Sequence, residues 1–134
     1  MKSIFLFLKK KTVFYTAALL LPTAIVCVCF AVRRIAPFGE HSLMAIDAWG
    51  QYFPMLRETR RAIRTGNFYS FSGGLGYNII PQSAYYTNSP LWLPLYLMPW
   101  EITPAAVDII VILRFGLSGL SFAVWLSGKF RERN

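Results

Sequence analysis

One histidine, two cysteines and six carboxylates are few ligands for a chain of 134 residues. His41 has only Glu40 beside it, a weak pair, and no cluster with metal-ligand spacing is visible. Cys27 and Cys29 lie inside an apolar run, two residues apart, so they point to different sides of a helix. They read as packing residues rather than a disulfide or a metal pair. The glycines at 73, 74 and 76 are followed by no Lys-Ser/Thr pair and sit in no parallel-sheet pattern. That excludes a P-loop and a dinucleotide fingerprint. A tight surface turn is the plain reading, although its backbone N–H groups can approach an anion.

Apolar residues, at 55% of the chain, are what the sequence has in abundance, and mean hydropathy is +0.44. They are blocked rather than dispersed at the periods of a soluble helix or strand. Thr12–Val32 carries no charge and spans roughly 32 Å as a helix, enough for a bilayer core of about 30 Å. Pro22 in its middle predicts a kink, tolerated where neighbours satisfy the freed carbonyl. The run exceeds the apolar stretch of a signal peptide, and no small-x-small site precedes Arg33, so a retained anchor is the better reading. Val107–Ser127 predicts a second span. The expected order is a basic tail over 1–11, a membrane helix over 12–32, an outer loop over 33–106, a second helix over 107–127 and a tail over 128–134.

The net charge of +8 calls for no nucleic acid. Juxtamembrane lysines and arginines bind anionic lipid headgroups, and arginines in the loop can hold phosphate. Lys2, Lys9, Lys10 and Lys11 precede the first span, and Lys129, Arg131 and Arg133 follow the second. The positive-inside rule then puts both termini in the cytoplasm and the loop outside. Arg33, Arg34 and the arginines at 57, 60, 61 and 64 weigh against this, but the loop is longer than those the rule describes best.

Within the loop, Ile46, Trp49, Phe53, Leu56 and Ile63 fall on one face of a helix over about 46–65, with Arg57, Arg61 and Arg64 largely off it. This predicts an amphipathic helix on the outer membrane surface, aromatics down and arginines up, stopping near Gly66-Asn67. Asp47 opens it. A carboxylate there is either a helix cap, favoured by the dipole, or a general base at a membrane surface. Gln51, one turn on, shares its edge and can help grip a sugar or phosphate group. Further along, Ala84–Trp100 is apolar but broken by Pro90, Pro94 and Pro99, which suits an interfacial or re-entrant segment. Trp92, Tyr96 and Trp100 suit a headgroup belt. Tyr85, Tyr86 and Asn88 are candidates to stack on and hydrogen-bond a sugar, and are equally well explained as belt residues. The second span carries Asp108 near its outer end and Arg114 about a third of the way in. They point to nearly opposite sides, and an intramembrane arginine demands a partner, a cavity or a phosphate. Gly116, Ser118, Gly119 and Ser121 permit close helix packing.

Pro37-Phe-Gly39, then Asp47 with Gln51-Tyr52, then Phe71–Gly76, Ala84–Tyr86 and Ser89–Leu91, occur in an order and spacing that resembles the N-terminal region of the YfhO family of bacterial multi-pass membrane proteins. The resemblance covers roughly Ile35–Pro99. It implies a mainly α, integral membrane fold: two transmembrane helices flanking an outer loop, as the N-terminal part of a GT-C-like multi-helix bundle in the bacterial cytoplasmic membrane. It also implies a glycosyltransferase that takes sugar from a polyprenyl-phosphate carrier. The acceptor would be a cell-envelope polymer such as a teichoic acid, with Asp47 at the position of the fold's loop acid. Members of the family have many more membrane helices, so the chain is expected to be a truncated or split part of such a protein. It would work with the remaining helices and be inactive alone. No cofactor is evident, and a divalent cation stays open because some GT-C enzymes use one. The alternative is a non-enzymatic two-helix membrane subunit or assembly partner that binds lipid headgroups through tryptophan and arginine.

Overall fold

The computed structural model describes residues 2–131, with side chains described over 11–129 except at Tyr86 and Trp100. Its elements in order are α1 (Lys2–Val32), a π-helical turn (Ala48–Tyr52), α2 (Phe53–Thr65) and a two-stranded hairpin, β1 (Tyr69–Ser70) and β2 (Tyr77–Asn78). Then follow α3 (Ile79–Tyr86), a 3-10 turn (Pro90–Trp92), α4 (Leu93–Leu97), a second 3-10 turn (Trp100–Ile102) and α5 (Thr103–Arg131). The protein is mainly α. It divides into two compact units, one of residues 1–41 with 109–134 and one of residues 42–108.

The first unit holds the two long helices, α1 and the greater part of α5. Lys11–Val32 and Thr103–Lys129 are each long and apolar enough to cross a membrane. Their large apolar side chains point outward: Leu20, Leu21, Ile25 and Val28 on α1, and Leu113, Phe115, Phe122 and Val124 on α5, are exposed. A core helix of a soluble protein would bury most of these, whereas lipid is the solvent such a surface requires. α5 begins at Thr103, four residues before the span expected from Val107.

The two helices meet through small residues. A Cβ at Gly116 would strike the Thr23 hydroxyl and lie 3.2 Å from the Leu19 carbonyl oxygen. A Cβ at Gly119 would strike the Ala18 carbonyl oxygen and lie 2.8 Å from the Pro22 ring. Pro22 has no N–H, so the Ala18 carbonyl loses its helical partner. That freed carbonyl faces the Gly119 backbone, where no side chain blocks the approach. The Thr23 hydroxyl donates to the Leu19 carbonyl at 2.8 Å on the same side. Ser118 and Ser121 are exposed and take no part.

Past α1 the chain reverses tightly. The Ala36 N–H donates to the His41 carbonyl at 2.8 Å and the His41 N–H to the Arg34 carbonyl at 2.9 Å. Arg34 takes a left-handed φ of 52°. A Cβ at Gly39 would strike the Arg34 carbonyl and lie 2.6 Å from the Arg34 Cβ. Glycine is therefore required there, which gives the Pro37-Phe-Gly39 block a structural reason.

The second unit is built on α2, which packs against α3 and α4. Leu56 and Ala62 on α2, Ile79, and Trp92, Leu95 and Tyr96 form its core. The Tyr96 hydroxyl donates to the Thr87 carbonyl at 2.8 Å, and the Thr59 and Thr87 hydroxyls are 3.2 Å apart. α2 stops at Gly66, which turns left-handed with φ 70° and sends its N–H to the Ala62 carbonyl. The glycine-rich stretch is the hairpin β1–β2, paired antiparallel with Tyr69 opposite Asn78. Asn78 then caps α3, its side chain accepting from the Ile80 N–H at 3.0 Å.

Two expectations about this unit change. Trp92 and Tyr96 are buried in its core rather than presented to headgroups, and Trp100 lies outside the described side chains. The face of α2 that is covered runs through Leu56, Arg60 and Ala62, while Ile46, Trp49 and Ile63 are exposed. Packing against α3 and α4, rather than a single aromatic stripe, decides which side of α2 is dry.

Candidate functional site

Asp47 stands at the head of the π-helical turn with helical backbone angles, and its side chain makes no capping hydrogen bond. Its side chain is exposed. The side chain therefore does not cap the turn by a hydrogen bond, although the head of a helical turn is a place the helix dipole favours for a carboxylate. Gln51 lies one turn on, also exposed, so the two share the entrance of one short element.

The backbone leading into Asp47 is held at several points. Ile46 takes φ 49°, in the left-handed region, where a β-branched side chain is a genuine outlier. Such conformations cost about 1–3 kcal/mol and persist only where surrounding structure imposes them. The imposition is visible. The Leu43 N–H donates to Asp108 Oδ1 at 3.0 Å, and Asp108 is fully buried. The Ala45 N–H bonds the Leu43 carbonyl at 2.8 Å, and the Gly50 N–H bonds the Ile46 carbonyl at 2.8 Å. On the far side, the Tyr52 ring meets Trp92 edge-on at 6.0 Å, and Trp49 stacks on Phe53 at 4.8 Å. A π-turn is itself uncommon and is frequent at functional sites. Asp108 is the residue the sequence did not assign here. It was visible as an acid at a helix end, but its bond to an amide 65 positions away has no signature in the sequence.

The other sequence-predicted residues are dispersed. Asn88 lines a cavity of about 390 Å³ whose wall is largely apolar, with Ile63, Phe68, Pro90 and Leu93 beside Thr59, Thr87 and Tyr96; the Thr59, Thr87 and Tyr96 hydroxyls already donate to backbone carbonyls. Burial pushes the Tyr96 phenol upward, against the opposing effect of its bond to Thr87, so it stays a neutral donor. Tyr85 is exposed. Tyr86 ends α3, and its side chain lies outside the described ones. Arg114 belongs to the first unit, half-buried on α5. Among the described residues no group of three or more His, Cys, Asp or Glu is placed to hold a metal ion.

A second concavity, of about 510 Å³, is open and lined by Arg57, Arg60, Arg61, Arg64 and Thr65. Next to it Glu58 ties α2 to the hairpin. It accepts from the Ser70 hydroxyl at 2.6 Å, the Ser72 hydroxyl at 3.3 Å and Arg61 Nε at 3.0 Å, and Arg61 also donates to the Tyr69 carbonyl at 3.0 Å. Burial by itself would raise the Glu58 carboxyl. The bonds from Ser70, Arg61 and Ser72 outweigh it and hold the group below the usual glutamate range.

No curated protein and no solved structure matches the chain. A family model described as "Bacterial membrane protein YfhO" matches residues 17–134, which takes in the greater part of α1, the whole second unit and all of α5. With two apolar helices fit to cross a membrane and a helical unit between them, the chain belongs to the YfhO family of bacterial membrane proteins.

Proposed function

We propose that the chain carries the acid-bearing loop of a GT-C-type membrane glycosyltransferase. The enzyme would move a sugar from a polyprenyl-phosphate carrier to an extracytoplasmic cell-envelope acceptor such as a teichoic acid. The observation that carries this reading is Asp47: an exposed carboxylate, making no capping hydrogen bond, on a strained and braced turn. Enzymes hold catalytic groups in this way, since a base must meet its proton at a fixed position.

In the proposed reaction an acceptor hydroxyl attacks the anomeric carbon of the donor. Asp47 accepts the hydroxyl proton as the new C–O bond forms. The bond from the anomeric carbon to the phosphate oxygen breaks, and polyprenyl phosphate leaves with the electron pair. A single displacement inverts the sugar. Gln51 is proposed to hold the acceptor beside the base, and Asn88, Tyr85 and Tyr86 are proposed for the sugar. Arg114 or a loop arginine is proposed to offset the charge of the departing phosphate. The active face is outside the cytoplasmic membrane, with both termini inside. Further helices of a larger bundle and surrounding lipid complete the site.

Asp47→Asn tests the reading in the full-length protein. The amide keeps size and hydrogen bonding but accepts no proton. Sugar transfer should fall by about a hundredfold or more, the scale of losing a general base, with membrane abundance unchanged. Near-normal glycosylation of the envelope polymer at normal abundance would sink the assignment.

A further inference from the structure

The second unit, residues 42–108, contains four arginines and no lysine. All four line one concavity. Arg57, Arg60, Arg61 and Arg64 recur at the three- and four-residue steps of one helix face, and together they span roughly 10 Å along the α2 axis. Each neighbouring like-charge pair on a helix is destabilising by a few tenths of a kcal/mol. The one acid of α2, Glu58, does not relieve this face as a whole. Its carboxylate is engaged by Arg61, Ser70 and Ser72, and Arg60 is buried on the covered side of α2, so the positive charge open to the groove is carried chiefly by the exposed Arg57 and Arg64. A purely solvated face would gain nothing from placing every cation of the unit side by side, and would be served as well by lysine.

We propose that this groove binds a ligand bearing two or more phosphate groups. Guanidinium forks match phosphate oxygens in pairs of hydrogen bonds. A charged stretch of about 10 Å exceeds what one carboxylate or one phosphate can cover. The volume, about 510 Å³, falls in the range of ligand sites, about 300–1,000 Å³. The Glu58 clamp holds Arg61 Nε toward the hairpin, so Arg57 and Arg64 at the two ends are the principal contacts. The Thr65 hydroxyl donates to the Arg61 carbonyl at 2.8 Å, which fixes the last turn beneath them. The phosphates can belong to clustered anionic lipid headgroups or to a soluble phosphate compound; the recognition chemistry is the same. The site does not depend on Asp47 being a base, since phosphate binding is measured without turnover.

The test uses the delipidated full chain in nonionic detergent, titrated with inorganic pyrophosphate by calorimetry. The wild type should bind. Arg57→Gln/Arg64→Gln should weaken binding by about tenfold or more, the scale of losing charge-assisted hydrogen bonds. Arg57→Lys/Arg64→Lys should retain part of it, because charge stays while the forked geometry goes. Both side chains are exposed, so the variants should keep the wild-type circular dichroism and melting profile. Repeating the titration in nanodiscs assigns the source. If phosphatidylglycerol suppresses pyrophosphate binding relative to phosphatidylcholine, the ligand is a lipid headgroup. Equal binding in both lipids assigns it to a soluble phosphate compound. A wild type that does not bind, or a double glutamine variant that binds as the wild type does, would overturn the site.

Discussion

Ile46 is the residue on which the candidate site turns, because it gives nothing to packing and still occupies a costly conformation. Its side chain is 89% exposed, so replacing it forfeits little buried apolar area. Its φ of 49° costs about 1–3 kcal/mol for a β-branched residue. Glycine adopts that φ freely but adds about 0.5–1 kcal/mol of unfolded-state entropy. The first term is the larger. Ile46→Gly should therefore raise the thermal midpoint in detergent by a few degrees, while transfer by the full-length protein falls because glycine's wider backbone freedom lets the position of Asp47 vary. A lowered midpoint would show that Ile46 is held by contacts rather than strained against them. None of this was legible in the sequence, where Ile46 read as the first residue of an apolar stripe. A left-handed isoleucine has no local signature, and the Asp108–Leu43 bond that helps impose it joins residues far apart in the chain. What was legible was Asp47 itself, as an isolated acid ahead of an apolar-periodic run.

At the scale of elements, the long apolar helices were readable because length and apolar composition mark them, even where Asp108 and Arg114 interrupt the second. The close approach at Gly116 and Gly119 followed from small residues, and the role of Pro22 from its missing N–H. The second unit was less readable. Trp92 and Tyr96 carry the composition of an interfacial belt, yet the Tyr96 hydroxyl finds the Thr87 carbonyl and the ring is buried. Only tertiary contact decides between those outcomes. The serines of the hairpin were likewise silent until Glu58 was seen to gather them. That clamp makes the hairpin's order depend on pH. The folded carboxyl sits below its unfolded value, so its contribution is present above the ordinary glutamate range, about 4.3. It is lost as pH falls through the lower folded value. Amide exchange over Tyr69–Tyr77, corrected for intrinsic rates, should show protection declining in acid below that range. Glu58→Gln should lower protection at neutral pH and flatten the acid dependence. An unchanged profile in the variant would mean that the β1–β2 pairing, not the clamp, holds the hairpin.

For the whole molecule, the orientation of the loop decides whether Asp47 meets an extracytoplasmic acceptor at all. The charges are divided. The lysines at the N-terminal end of α1 and the cations at and beyond the C-terminal end of α5 favour cytoplasmic ends, whereas Arg33, Arg34 and the arginines of α2 sit on the side proposed to be outside. The groove on α2 offers a reason for the exception: arginines retained for phosphate binding are under a different demand from those that set topology, and the positive-inside rule counts them best in short loops. Leu75, 99% exposed at the hairpin tip, is the place to ask, since a cysteine there disturbs no packing. With Cys27 and Cys29 replaced by alanine, Leu75→Cys should react with a membrane-impermeant thiol reagent in intact cells. Ser3→Cys should react only after the cells are opened. The reverse pattern would put the Asp47 turn and the arginine groove in the cytoplasm. It would remove an extracytoplasmic acceptor from the proposed reaction and leave the phosphate site facing the inner leaflet, where anionic lipid would be its nearest source of ligand.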